Sequence, residues 1–105
     1  MPKTSLFVKM VAKPGKRDEI RAELSKMFPV VAGETGTEAY VVHDDLGDEN
    51  ALWLYEMYAD DDALAIHSSS DALGALFGAV GDLMAEPPMM AMTRPVEAKG
   101  LDIGT

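Results

Sequence analysis

Apolar and polar residues alternate over residues 5–13, which predicts a first strand. One face of this strand is fully apolar, with Leu6, Val8, Met10 and Ala12. The opposite face mixes apolar and basic side chains. Pro14 and Gly15 end the strand, because proline lacks the donor that a ladder needs and glycine supplies turn conformations.

The spacing of apolar residues changes to that of a helix after Lys16. A single helical stripe contains Ile20, Leu24, Met27, Phe28 and Val31. Pro29 removes one internal hydrogen bond. The helix is therefore expected either to end near Phe28 or to kink and continue to about Ala32.

Two further strands are predicted at 38–44 and 51–59, joined by a polar turn at 45–50. In the third strand, one face carries Leu52, Leu54, Glu56 and Tyr58, and the other carries Trp53, Tyr55 and Met57. Both faces are therefore largely apolar. The sheet of a small monomer normally leaves one face in water. This pattern therefore indicates that both faces of the sheet are covered.

A second helical region follows and is divided in two. The aspartates at 60–62 supply an N-cap and first-turn anions, and His67 falls on the inward stripe of the first part. The serines at 68–70 end that part. The next helix is amphipathic, with Leu73, Leu76, Phe77, Val80 and Met84 on one side. Pro87 stops it, and a last strand is predicted at 89–96.

The element order βαββαβ predicts an α+β protein with a ferredoxin-like fold, in which the helices pack on one face of a four-stranded antiparallel sheet. At 105 residues, the chain is expected to form a single domain spanning 1–105, with a core of about 5–96 and a tail at 97–105. The other face of the sheet is apolar too. We therefore expect an isologous homodimer that pairs two sheets face to face.

Composition narrows the possible partners and chemistry. A net charge of −9 argues against nucleic acid and anionic membranes, which need a basic surface. The chain has no cysteine, and its two histidines are far apart, so neither a disulfide nor a metal site is expected. With no signal-peptide pattern and no apolar run of about 20 residues, a cytoplasmic protein is expected.

The most specific motif lies at the third strand and the helix after it. LYEMY at 54–58, followed by Ala63 and His67, resembles the YExY…A…H signature of the antibiotic biosynthesis monooxygenase superfamily. The KPGK segment at 13–16 also resembles a pattern of this family. DLM at 82–84, with Pro87, approximates another. The similarity covers residues 5–96 in order and spacing. It implies a dimeric α+β barrel, which agrees with the fold predicted from periodicity.

The resemblance also limits the activities to consider. The superfamily includes cofactor-free monooxygenases of quinols and anthrones, haem-degrading enzymes and a phosphorylated-sugar isomerase. The asparagine, tryptophan and histidine of the haem-degrading branch are replaced by Val8, Tyr58 and Phe77, which disfavours haem degradation. The resemblance therefore implies a cofactor-independent monooxygenase that oxidises a small aromatic polyphenol with dioxygen.

Two alternatives remain open at this stage. One is an isomerase of a small carbonyl compound or a phosphorylated sugar. Its candidate phosphate ligands are Lys9, Lys13 and Arg94. The other is a non-catalytic dimer that binds a ligand without converting it.

The predicted site combines three polar residues with an apolar pocket. A deprotonated, electron-rich phenol can reduce dioxygen directly, so the protein needs a base and a dry cavity. His67 is the predicted base because imidazole titrates near neutral pH. Glu56 orients it, or acts itself if burial raises the pKa of its carboxyl, and Tyr58 hydrogen-bonds the substrate oxygen or a peroxide. The predicted pocket walls are Val8, Met10, Leu54, Leu64, Leu73 and Phe77.

A purely structural interpretation of the same residues is equally open. Glu56 and His67 can pair with each other and tie the third strand to the following helix, since a buried charge needs such a partner. No cofactor is expected under either interpretation.

Overall fold

The element order predicted from periodicity is present in the computed structural model, which describes residues 2–104. The strands are β1 (Thr4–Val11), β2 (Thr37–Asp44), β3 (Ala51–Tyr58) and β4 (Met89–Thr93). The helices are α1 (Arg17–Ser25), α2 (Phe28–Ala32), α3 (Asp61–Ser68) and α4 (Asp71–Val80), with a 3-10 turn at Gly81–Leu83. The predicted domain, 1–105, and tail, 97–105, include Met1 and Thr105, which lie outside the described residues.

The four strands form one antiparallel sheet in the order β2-β3-β1-β4, so the predicted ferredoxin-like α+β fold is confirmed. In the register between β1 and β3, Leu6 lies opposite Glu56 and Val8 lies opposite Leu54. Tyr40 on β2 lies opposite Glu56 from the other side. The carboxyl of Glu56 therefore lies on a central strand, with an aliphatic and an aromatic neighbour across the two ladders.

Pro29 breaks the first helical region instead of kinking it. Its ring would clash with the carbonyl of residue i−4, which is Ser25, and α1 ends at that residue. The backbone N–H of Met27 bonds the carbonyl of Leu24 (3.0 Å), an i−3 contact that closes the helix end. The separate α2 then begins at Phe28, with Pro29 in its first turn, where a missing N–H costs nothing.

The second helical region contains two capped helices. The carboxylate of Asp60 accepts from the backbone N–H of Ala63 (2.8 Å), and the hydroxyl of Ser70 accepts from that of Leu73 (3.2 Å). Among residues 2–104, no single helix is long and apolar enough to cross a membrane. The pair Asp61–Ser68 and Asp71–Leu83, bent by 55°, passes that test only when the two are taken together.

The core lies between the helices and one face of the sheet. Its buried members come from β1, β3 and the helical stripes predicted from the sequence: Val8, Met10, Ala12, Ile20, Leu24, Met27, Val31, Leu52, Leu54, Leu76 and Val80. The opposite, open face of the sheet retains exposed apolar side chains. Phe7, Val41 and Met89 are 42%, 40% and 57% exposed there.

The C-terminal tail returns to the start of the sheet of its own chain. The Lys3 ammonium donates to the backbone carbonyl of Asp102 (2.9 Å), and Ile103 is buried. Lys3 also pairs with Glu38 on β2 at 2.8 Å. The tail is thereby held next to the beginning of β1.

Gly36 lets the loop before β2 pack directly on α3, and this contact generates a prediction. A Cβ at position 36 would overlap the Cβ of Ala63. We expect Gly36→Ala to lower the free energy of unfolding by about 1–3 kcal/mol, as overpacking of a well-packed contact does. Urea unfolding measures this change.

Two glycines on α4 provide the matched control. A Cβ at Gly74 or Gly78 would meet nothing within 4 Å. We expect Gly74→Ala and Gly78→Ala each to raise the free energy of unfolding by about 0.5–1 kcal/mol, because alanine favours the helix. Ala63→Gly should partly rescue Gly36→Ala. Equal effects at all three glycines would contradict the packing explanation.

Candidate active site

An apolar cavity of about 250 Å³ lies between the sheet and the helices. It is lined by Leu6, Val8, Met10, Tyr40, Leu54, Glu56, His67, Ser68, Leu73, Leu76, Phe77 and Met90. Most of these walls are aliphatic or aromatic, and the polar groups are few and close together. This composition is typical of a small-molecule site.

Five of the six predicted pocket positions line this cavity: Val8, Met10, Leu54, Leu73 and Phe77. Leu64 does not. It lines a separate, open depression with Thr4, Met92 and Arg94. Leu64 is almost one turn of α3 ahead of His67, where the helix passes the end of the sheet at the first residue of β1. Whether the five walls hold a substrate stays a prediction.

The three predicted catalytic residues come together in the fold. Glu56 and Tyr58 are two residues apart on β3 and share a face. The Tyr58 hydroxyl donates to Oε1 of Glu56, and Nε2 of His67 on α3 lies 3.5 Å from the same oxygen. All three side chains are buried.

Tyr58, however, supports the site from behind. It is fully buried, its hydroxyl is engaged by Glu56, and it is absent from the cavity lining. The tyrosine in the cavity wall is Tyr40, whose ring lies 6.0 Å from that of His67. The hydrogen bond predicted from Tyr58 to a substrate oxygen or a peroxide stays a prediction.

Glu34 completes the group and was missed in the sequence. Its Oε1 lies 2.8 Å from Nδ1 of His67 and also accepts from the Thr37 hydroxyl (3.0 Å). A carboxylate only accepts hydrogen bonds, so Nδ1 of a neutral His67 carries the proton and Nε2 keeps its lone pair. Glu34 lies in the loop after α2, where neither the strand nor the helix period marks a position. The one available signal is an acidic residue between Gly33 and Gly36.

Burial sets the electrostatics of this group. Loss of solvent raises the pKa of the Glu56 carboxyl, and the nearby Glu34 adds to that rise. The hydrogen bond from Tyr58 and the attraction of His67 oppose it. Burial, followed by the negative charge of the two glutamates, also raises the pKa of the Tyr40 hydroxyl. The pKa of the Tyr58 hydroxyl rises through burial and its contact with Glu56. Both phenols therefore stay protonated as donors.

The candidate phosphate ligands lie away from the cavity. The Lys9 ammonium is 5.3 Å from the centre of the Trp53 ring, on the open face of the sheet. Lys13 is exposed in the first turn, and Arg94 lines the open depression next to Leu64. Within residues 2–104, no group of three His, Asp or Glu side chains is arranged to hold a metal ion.

A family model described as antibiotic biosynthesis monooxygenase matches residues 5–78. No curated protein matches the chain.

Solved structures resemble the chain over most of its length. A candidate antibiotic biosynthesis monooxygenase from Chloroflexus aurantiacus is 27% identical, with a TM-score of 0.78 over 97% of this chain and 99% of the other. One from Caulobacter crescentus is 25% identical, with a TM-score of 0.79 over 91% and 92%. A protein of unknown function from Nitrosomonas europaea is 24% identical, with a TM-score of 0.83 over 97% of both chains, and shows the fold alone.

The raised pKa of Glu56 predicts a pH dependence of stability. The folded state binds this proton more tightly than the unfolded chain, whose carboxyl titrates near 4.5. The resulting stabilisation is fully present below that pH and is lost as the pH rises through the folded-state pKa. Glu56→Gln stays neutral. We therefore expect it to gain stability relative to the wild type as the pH rises, measured by urea unfolding from about pH 4 to about pH 8. A difference that is constant or shrinks with pH would contradict this assignment.

Proposed function

The chain belongs to the antibiotic biosynthesis monooxygenase family, and on that premise we propose that it is a cofactor-independent monooxygenase of a small quinol or anthrone. The main support is the position of the buried His67 and Glu56 at the wall of an apolar cavity, with Glu34 behind the imidazole ring. This arrangement provides a base whose Nε2 keeps its lone pair, in the wall of a mostly apolar space. A phenol that must lose its proton before it reacts with dioxygen needs both.

The first step is ionisation of the phenol. Nε2 of His67 accepts the phenolic proton, and the resulting imidazolium is stabilised by Glu34 at 2.8 Å and by Glu56 at 3.5 Å. Tyr40 lines the cavity, and its protonated hydroxyl is the donor that we assign to the phenolate oxygen. Ionisation raises the electron density of the ring, which prepares it to reduce dioxygen.

The oxidation then proceeds between the substrate and dioxygen. One electron passes from the phenolate to dioxygen, and the two radicals combine to form a carbon–oxygen bond and a peroxide. One oxygen atom stays on the ring as a new carbonyl, and the other leaves as water with two hydrogens from the substrate. The apolar walls protect the radical and the peroxide from water, which is the main task left to the protein.

The cavity favours a small substrate. Its volume of about 250 Å³ is just below the usual range of roughly 300–1,000 Å³ for ligand pockets. Of the two proposed substrate classes, a quinol with one or two rings suits this space better than a three-ring anthrone. Met10 and Met90 in the wall adapt to ring shape, since methionine side chains are flexible.

The positions of the basic residues weigh against a phosphorylated-sugar isomerase. Lys9, Lys13 and Arg94 do not line the cavity, so they offer no positive charge to a phosphate bound there. A non-catalytic dimer that binds the same kind of ligand is the alternative that an activity measurement has to exclude.

A homodimer is the second part of the proposal. The open face exposes Phe7, Val41 and Met89, and Tyr55 packs against Phe7 with ring centres 5.1 Å apart. Apolar side chains on neighbouring strands thus form one continuous surface, which two copies would cover by packing sheet on sheet.

Oxygen consumption tests the catalytic proposal. We expect the wild type to consume dioxygen with members of a panel of quinols and anthrones, and His67→Ala to lower kcat by about 10²–10⁴-fold, because the base is lost. Met27→Ala is the matched control, since Met27 is equally buried but does not line the cavity. Its kcat should stay near that of the wild type. If His67→Ala only melts earlier and no panel member is consumed by any variant, the site is structural.

The oligomeric state tests the dimer. We expect sedimentation to give a dimer for the wild type and a monomer for the double variant Val41→Glu and Met89→Glu, because two buried carboxylates per chain would oppose the interface. Leu46→Glu, at a fully exposed position of the 45–50 turn, should remain dimeric. A monomeric wild type, or a double variant that still dimerises, would contradict the proposed interface.

A further inference from the structure

The proposed ionisation step uses Glu34 only to stabilise the imidazolium, a task that does not explain its contact with solvent. It approaches His67 from the side opposite the lone pair, at Nδ1, while Nε2 is left for the cavity and Glu56. A carboxylate that only oriented the ring would need no contact with solvent. Glu34 has such contact: its side chain is 14% exposed, compared with 3% for that of His67.

Glu34 also borders a second space. A wide, open groove of about 540 Å³ is lined by the 33–37 loop and by residues of α3 and of the turn before it. Glu34 and Thr37 belong to this lining, and His67 does not. The inner cavity, by contrast, is lined by His67 and not by Glu34. The hydrogen bond between Nδ1 of His67 and Oε1 of Glu34 therefore links a residue that lines the inner cavity to a residue that lines the outer groove.

We infer that Glu34 is a proton-relay residue that connects His67 to the outer groove, so that protons enter and leave the cavity through the imidazole ring. Glu34 acts through His67 and does not itself touch the substrate. The inference rests on the proposed function, in which His67 ionises a phenol.

The relay balances over one turnover. When the phenol ionises, its proton binds Nε2, and the imidazolium that forms then passes its Nδ1 proton to Glu34, which leaves a neutral ring with its proton on Nε2. When the peroxide loses water, the Nε2 proton passes to the departing oxygen, and Nδ1 takes a proton back from Glu34. One proton is exported and one returns. The ring regains its starting tautomer without rotating.

The alternative carboxylate is less suited to this task. Glu56 lies 3.5 Å from Nε2, and its Oε1 already accepts from Tyr58, which is completely buried. A proton on Glu56 therefore has no route outward along this chain of contacts. Oε1 of Glu34, by comparison, is held by the Thr37 hydroxyl at the edge of the groove.

The exchange of the Nδ1 proton of His67 with water tests the relay without any substrate. It can be followed by NMR on protein labelled with ¹⁵N-histidine, with the exposed His43 as an internal reference. Glu34→Gln keeps an oxygen acceptor for Nδ1–H but cannot take up the proton. We expect it to slow the exchange by about tenfold or more, since general-base assistance is lost. Unchanged or faster exchange would overturn the relay, because a merely structural hydrogen bond shields the proton.

A matched carboxylate provides the control. Glu38→Gln changes a neighbouring glutamate that pairs with Lys3, and it should leave the exchange rate as in the wild type. Should Glu34→Gln fail to fold, Glu34→Ala offers a second measurement, because formate is small enough to enter the open groove. Saturable acceleration of exchange by formate, with none from chloride at equal ionic strength, supports the relay. Equal effects of the two salts overturn it.

Turnover distinguishes this inference from the function on which it rests. With an active quinol, Glu34→Gln should lower kcat and leave KM unchanged, and Glu34→Asp should restore part of the rate. Slowed proton exchange without turnover of any quinol would leave the relay standing and overturn the proposed reaction. Normal turnover by Glu34→Gln together with unchanged proton exchange would overturn the relay and leave the proposed reaction standing.

Discussion

The structure depends on how a carboxyl is accommodated at position 56. Glu56 lies on a central strand under the helices, where an isolated charge would be strongly unfavourable. Two neighbours reduce that cost: the Tyr58 hydroxyl on the same strand face, and the His67 ring, which α3 lays over the strand. The His67 ring is itself polar and buried, so its other nitrogen requires a further partner. The chain of contacts ends only where Glu34 reaches a surface groove.

Local backbone chemistry delivers Glu34 to the end of this chain. Pro29 forces α1 to end at Ser25, and the short α2 then redirects the chain toward β2. Gly36 lacks the Cβ that would collide with Ala63, so the loop can approach α3 closely. The backbone N–H of Ala59 also bonds the carbonyl of Gly36 (2.9 Å), which fixes the loop to the end of β3. The contact between Glu34 and His67 follows from these backbone constraints and not from any side-chain period.

This dependence explains which features could be predicted from the sequence. The strands and helices followed from periods of two and 3.6 residues, and the shared face of Glu56 and Tyr58 followed from their spacing on one strand. Glu34 could not be predicted in this way, because a loop position has no period and its contact with His67 spans 33 residues. The position of Leu64 outside the cavity could not be predicted for a related reason. Its position on a helical stripe shows that it faces inward, but not which part of the sheet lies beneath it.

The same geometry explains why the family motif does not select a substrate. The motif residues Glu56, Tyr58 and His67 make most of their polar contacts with one another and with Glu34. The cavity lining is mostly apolar and includes Met10, Leu73, Phe77 and Met90, together with Tyr40 on β2. These positions lie outside the motif, and apolar side chains can exchange shape and volume there without disturbing the buried polar group. Under the proposed function, the residues that handle the proton and the walls that select the phenol can therefore change independently.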